Sequence, residues 1–131
     1  MKDFRRLTVW EKAHELTLTV YRITGMFPRE EIYGITRQMR RCSASVAANV
    51  AEGCGRTGNG DFHRFLNTAA GPLFELEYFA LLSRDLDLLP AGLYERLTAN
   101  IAETQQMLAS PNPQGGEQPS AACEQLRTGI C

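Results

Sequence analysis

Four stretches of the chain place apolar residues at alternating intervals of four and three. The first is Val9, Ala13, Leu16, Val20, Ile23 and Phe27, and the second is Ile35, Met39, Cys42, Val46 and Asn49. The third runs Phe62, Leu66, Ala69, Leu73, Leu76, Ala80, and the fourth Tyr94, Leu97, Ile101, Thr104, Leu108. An α-helix turns once in 3.6 residues, so this spacing puts each set on one stripe of a helix that faces other helices. No stretch alternates with the period of two that a half-buried strand needs. The expected fold class is therefore all-α: an antiparallel up-down four-helix bundle, because short turns join the stretches and each has one apolar stripe to bury.

Local signals mark the helix ends. Thr8 with Glu11 three residues on reads as a capping box, and Gly25 and Pro28 close the first helix. Gly53, after Glu52, reads as the end of the second. The third is expected from about Asn59, with a kink at Pro72, which removes a hydrogen bond and clashes with the preceding turn. A turn at Pro90–Gly92 opens the fourth. Beyond Ala109 the periodicity stops in a stretch containing Pro111, Pro113, Gly115, Gly116 and Pro119. The chain thus divides into a bundle over 1–109 and a flexible tail over 110–131.

At 131 residues there is room for one core. The 14 basic and 15 acidic side chains leave a net charge of −1, against the strongly basic balance of a general nucleic-acid coat. Their distribution is uneven: residues 1–64 hold 11 Lys/Arg against 7 acids, and residues 65–131 hold 3 against 8. Such poles suit self-association or an anionic partner. No run approaches the roughly 18 apolar residues of a membrane span, and MKDFRRLTVWEKAHEL is too charged for an export signal. A cytoplasmic location is expected. Cys42, Cys54, Cys123 and Cys131 form no closely spaced ligand pairs, so they read as free thiols.

The helix wheels carry the functional expectation. Opposite the seam of the third helix lie Gly71, Phe74, Tyr78 and Leu82, and a chain of this length has no second layer to cover them. A second copy is the economical cover. The second helix has a back surface of Arg37, Arg40 and Arg41, then Ala44, Ala47, Ala48 and Ala51, where small side chains let a neighbouring helix approach. Ala44, Ala48, Ala51, Phe74, Tyr78 and Leu82 are the expected oligomer interface.

Arg37, Arg40, Arg41, Arg56 and Arg64 form the expected anion or RNA contact. Arginine's fork fits phosphates and carboxylates equally well, and Glu75, Glu77, Glu30 and Glu31 are ready carboxylate partners, so both readings stand. Gly53-Cys54-Gly55-Arg56-Thr57-Gly58 matches the G-x-G-x-x-G of dinucleotide sites, but that motif works between a strand and a helix. Here a helix precedes it, and no cofactor is expected. Backbone amides near Gly58–Asp61 beside Arg56 are a weaker place for an anion. Asn49 on the second seam reads as a register-fixing polar residue. Trp10 and Tyr21 read as packing residues. His14 and His63 lie on separate helices with no matched serine or carboxylate, so no catalytic grouping forms and no enzyme activity is expected.

The motifs also carry a resemblance. Trp10-Glu11-Lys12-Ala13, Phe27-Pro28 with Glu31, Tyr33-Gly34-Ile35-Thr36 and Gln38-Met39-Arg40-Arg41 occur in order. They are followed by Ser45-Val46, Asn49-Val50-Ala51-Glu52-Gly53, Arg56, Phe65-Leu66, Ala70-Gly71 and Glu75-Leu76-Glu77. Over about Asp3 to Leu108 the chain resembles the bacterial four-helix bundle proteins encoded in intervening sequences of 23S ribosomal RNA genes. That group is related to accessory proteins of diversity-generating retroelements. The resemblance implies a small cytosolic bundle assembling as a ring, with pentamers known, and neither enzyme activity nor cofactor. The retroelement relatives bind nucleic acid together with a reverse transcriptase.

Overall fold

The computed structural model describes residues 3–55 and 59–109. Among them are four α-helices: α1 (Thr8–Thr24), α2 (Ile35–Cys54), α3 (Asn59–Asp85) and α4 (Ala91–Leu108). Short 3-10 turns at Phe4–Arg6 and Arg29–Glu31 precede α1 and α2. No strand occurs among the described residues, and none of their helices is long and apolar enough to cross a membrane. The expected tail over 110–131 lies outside the described residues.

Contacts run round the square α1–α2–α3–α4–α1, with α2 against α3 the most extensive. Cross-helix bonds fix the directions. Thr17 Oγ1 donates to the Ser43 carbonyl (3.0 Å), whereas Arg40, three residues before Ser43, reaches forward on α1 to Thr24 Oγ1 (2.9 Å). Arg41 meets Glu75 and Gly53 meets Phe65, so α2 and α3 are likewise antiparallel. This is the up-down bundle that the periodicity predicts.

The core follows the seams closely. Every residue of the first and third stripes is buried, as are Leu97, Ile101, Thr104 and Leu108 of the fourth. The second departs from expectation at its C-terminal end, where Val50 is fully buried and Asn49 is not. A strict alternation of four and three has a period of 3.5 and drifts about 20° per heptad against a straight helix, so the core stripe moves on by one residue. Asn49 fixes no register. Its side-chain amide donates to the Ser45 carbonyl of its own helix (2.8 Å). Ala47, expected on the outer surface, is buried against the core.

Two ends also differ from the sequence reading. α1 starts at Thr8, but Leu7 is the cap, fully buried and with its carbonyl accepting from Glu11 N–H (3.0 Å). Thr8 is therefore inside the helix, where the capping-box geometry does not apply. Gly53 does not end α2, which continues to Cys54. A Cβ at Gly53 would come within 2.9 Å of Phe65 Cβ, so the glycine is what lets α2 and α3 approach closely. α3 runs unbroken through Pro72, and Gly71 before it has no Cβ to clash with the proline ring.

Candidate functional site

The outer surface of α2 is the expected working face, and its three described arginines are in different states. Arg40 stacks over the Tyr21 ring at 4.6 Å and donates from Nε to Thr24 Oγ1 and from Nη2 to the Tyr21 carbonyl (3.4 Å). Arg41 donates to Gln38 Oε1 (3.0 Å) and to Glu75 Oε2 (3.2 Å). Arg37 is exposed and has no hydrogen-bond or ion-pair partner among the described residues. Of the carboxylates named as partners from sequence, Glu75 takes this role. Glu77 accepts instead from Gln105 on α4 (3.4 Å), and Glu31 lies at the start of α2, with Oε1 3.5 Å from the Ile35 N–H.

The four expected arginines among the described residues do not form one patch. Arg64 pairs with Asp61 one turn earlier (3.4 Å) and lies over the Phe65 ring (5.3 Å). It stands eleven residues before Glu75, the partner of Arg41. At 1.5 Å per residue that places it about 16 Å along the bundle from the α2 group. Arg56 lies outside the described residues, as do Thr57 and Gly58 of the glycine-rich motif. Gly53 and Cys54 from that motif are helical.

The expected interface residues sit as follows. Phe74 is 61 % and Tyr78 57 % exposed on the outer face of α3, and Gly71 beside them has nothing within 4 Å of a Cβ position. Leu82 is half-buried and packs on the core, so it only borders that face. Ala48 is exposed and Ala44 and Ala51 are half-buried, making a small-residue strip between the flanks of α1 and α3. Trp10 stacks on His14 (4.8 Å between centroids) and receives the edge of Phe4 (4.9 Å), which confirms its packing role.

Cys42, fully buried beneath the Arg41–Glu75 pair, has its thiol pKa pushed up by burial and by the Glu75 charge, with Arg41 opposing. That protonated thiol is a poor nucleophile. Among the described residues no group of three or more His, Cys, Asp or Glu is placed to hold a metal ion.

Sequence reasoning missed one cluster. Met26, Ile32 and Tyr33 in the α1–α2 connection and Leu86 after α3 are all exposed at the same end of the bundle, Tyr33 at 83 %. The available signal was apolar residues among turn-forming ones, which periodicity does not register.

With this geometry in view, the comparisons are specific. The 23S rRNA-intervening sequence protein family matches residues 5–110. The chain belongs to that family. Comparison with curated proteins finds no match. Among solved structures, the family member is similar to a protein of unknown function from the S23 ribosomal protein family of Bacteroides thetaiotaomicron VPI-5482. The two are 22 % identical with a TM-score of 0.69, over 77 % of this chain and 94 % of the other. At that identity the likeness concerns the fold, and it matches the bundle described above.

Proposed function

We propose that this 23S rRNA-intervening sequence protein is a non-enzymatic scaffold that self-associates into a closed ring, a pentamer by the earlier resemblance. Its α2 face is then offered to an anionic partner, with RNA as the partner the family's name points to. The observation that carries the reading is the outer face of α3. Phe74 and Tyr78 are more than half exposed side by side, and none of the described residues covers them. Soluble monomers seldom leave such a stripe wet. A cyclic ring is heterologous, so the stripe meets a different surface on its neighbour, and the α2 alanine strip has the small side chains to receive it.

Ala48→Glu sets a charge in that contact and should dissociate the ring while leaving the helical circular dichroism spectrum intact. Sedimentation velocity of both proteins tests this, and a monomeric wild type refutes the ring.

A second reading has its own support. Arg41 is paired with Glu75 and Arg40 is packed on Tyr21, so the arginines serve cohesion rather than phosphate contact. A gel shift with 23S rRNA fragments at two salt concentrations separates the two readings. Phosphate contacts give affinity that falls steeply with salt, and absence of binding at low salt leaves a scaffold without a nucleic-acid role.

A further inference from the structure

The self-association proposed above leaves open how two copies meet, and the outer stripes of α2 and α3 carry enough pattern to answer. Along α3 one outer stripe runs through the exposed Gly71, Phe74, Tyr78 and Asp85, and along α2 another runs through the exposed Arg37 and Ala48 and the half-buried Ala44 and Ala51. Read from its N-terminus, the α2 stripe steps by seven, four and three residues. The α3 stripe, read from its C-terminus, takes the same steps. Laid antiparallel, the two match position for position: Tyr78 over Ala44, Phe74 over Ala48, Gly71 beside Ala51, and Asp85 against Arg37. Laid parallel, the steps fall out of phase.

Charge agrees with shape. Arg37 is exposed and has no partner among the described residues. Arg84 donates both of its bonds to Asp85 Oδ1 (3.1 and 3.0 Å), leaving Oδ2 with no partner among the described residues. The direction is also the one a ring supplies. Rotation about an axis roughly parallel to the bundle preserves helix directions, and α2 and α3 are antiparallel within a chain. Hence α2 of one copy and α3 of the next are antiparallel as well.

We infer that the self-assembly contact is an antiparallel pairing of α2 from one copy with α3 of a second, in the register set by Arg37 against Asp85. The inference rests on the self-association reading and adds the surfaces, their direction and the pair that fixes the register.

The test is a charge exchange on the full chain: Arg37→Glu, Asp85→Arg, and both together. Each single change favours its own helix, since an acid in the first turn and a base in the last complement the dipole, so the subunit should keep its circular dichroism spectrum. Each single change faces like charges across the contact and should weaken association on the order of tenfold or more in sedimentation equilibrium. The double exchange should restore most of that loss. A wild type that is monomeric overturns the self-association reading itself. A wild-type oligomer whose single variants associate normally, or whose double variant is not rescued, overturns the register alone.

Discussion

The two long faces of α3 are made of similar residues and meet opposite fates. Phe62, Leu66, Ala69, Leu73, Leu76 and Ala80 look inward and are buried, while Phe74 and Tyr78 look outward and are mostly wet. A single helix can satisfy two apolar faces only if two surfaces cover them, and the described chain supplies one. The inner face therefore carries the stability of the bundle, and the outer face is left exposed among the described residues. The same division runs along α2, where Met39, Cys42 and Val46 are sealed in the core and Arg37, Ala44 and Ala48 lie across from them.

The largest expected effect tests that division directly. Leu73→Ala leaves a cavity in a closed core and should cost about 2–5 kcal/mol in chemical denaturation. Phe74→Ala, next in sequence, should cost under about 0.5 kcal/mol when measured on dilute protein, because its ring already touches water. Comparable losses from both would show that the outer face is part of the subunit's own core. The next effect compares two glycines in the same hairpin. Gly53→Ala drives a methyl into Phe65 and should destabilise by about 1–3 kcal/mol. Gly60→Ala meets nothing within 4 Å and should stabilise by up to about 1 kcal/mol through helix propensity. A neutral Gly53→Ala would mean that α2 and α3 can separate at no cost.

Periodicity made the inward half of this comparison legible and left the outward half partial. Alternate steps of four and three place nearly every core residue, because a stripe facing other helices must repeat with the helix. They fail at Asn49, where the difference between 3.5 and 3.6 residues per turn accumulates along a 20-residue helix. Gly53 shows a second limit. A glycine near a helix end reads as a cap, and only the position of Phe65 on another helix reveals that it is a close-approach site. The arginine face shows a third. Wheels locate Arg37, Arg40 and Arg41 together, but whether each is satisfied depends on Tyr21, Thr24 and Glu75, which come from helices the wheel does not contain. The place of the Glu31 side chain at the α2 start escapes the wheel for a different reason, because Glu31 lies in the turn before the helix.

Thr36 gives a smaller effect, on the α1 side of α2. Its hydroxyl is buried with no hydrogen-bond partner among the described residues, unlike Thr24, Ser83 and Thr104, which donate to carbonyls one turn back on their own helices. Thr36→Val keeps the shape and removes the stranded polar group, so stability should rise by up to about 1 kcal/mol. A loss in thermal or denaturant unfolding would mean that the hydroxyl does find a partner. The parallel change Thr104→Val, which removes a made bond along with its hydroxyl, should gain less.

The smallest effect appears only at alkaline pH and lies on the boundary between the two faces. Cys42 belongs to the inner stripe, but the Arg41–Glu75 pair covers it from the outer side. Burial, aided by the Glu75 charge, holds the folded-state thiol pKa above its ordinary value of 9.0. The folded chain therefore keeps a proton that the unfolded chain releases. The stabilising contribution is complete below pH 9.0 and is lost as the pH rises from there through the folded-state pKa. Denaturation midpoints of the wild type should fall in that alkaline window more than those of Cys42→Ala, which lacks the titrating group. Glu75→Gln should lower the folded pKa and shift the onset of protection from thiol-specific alkylation. If the wild type and Cys42→Ala lose stability in parallel above pH 9.0, the thiol is open to solvent in the folded chain, and the outer pair does not seal the inner face beneath it.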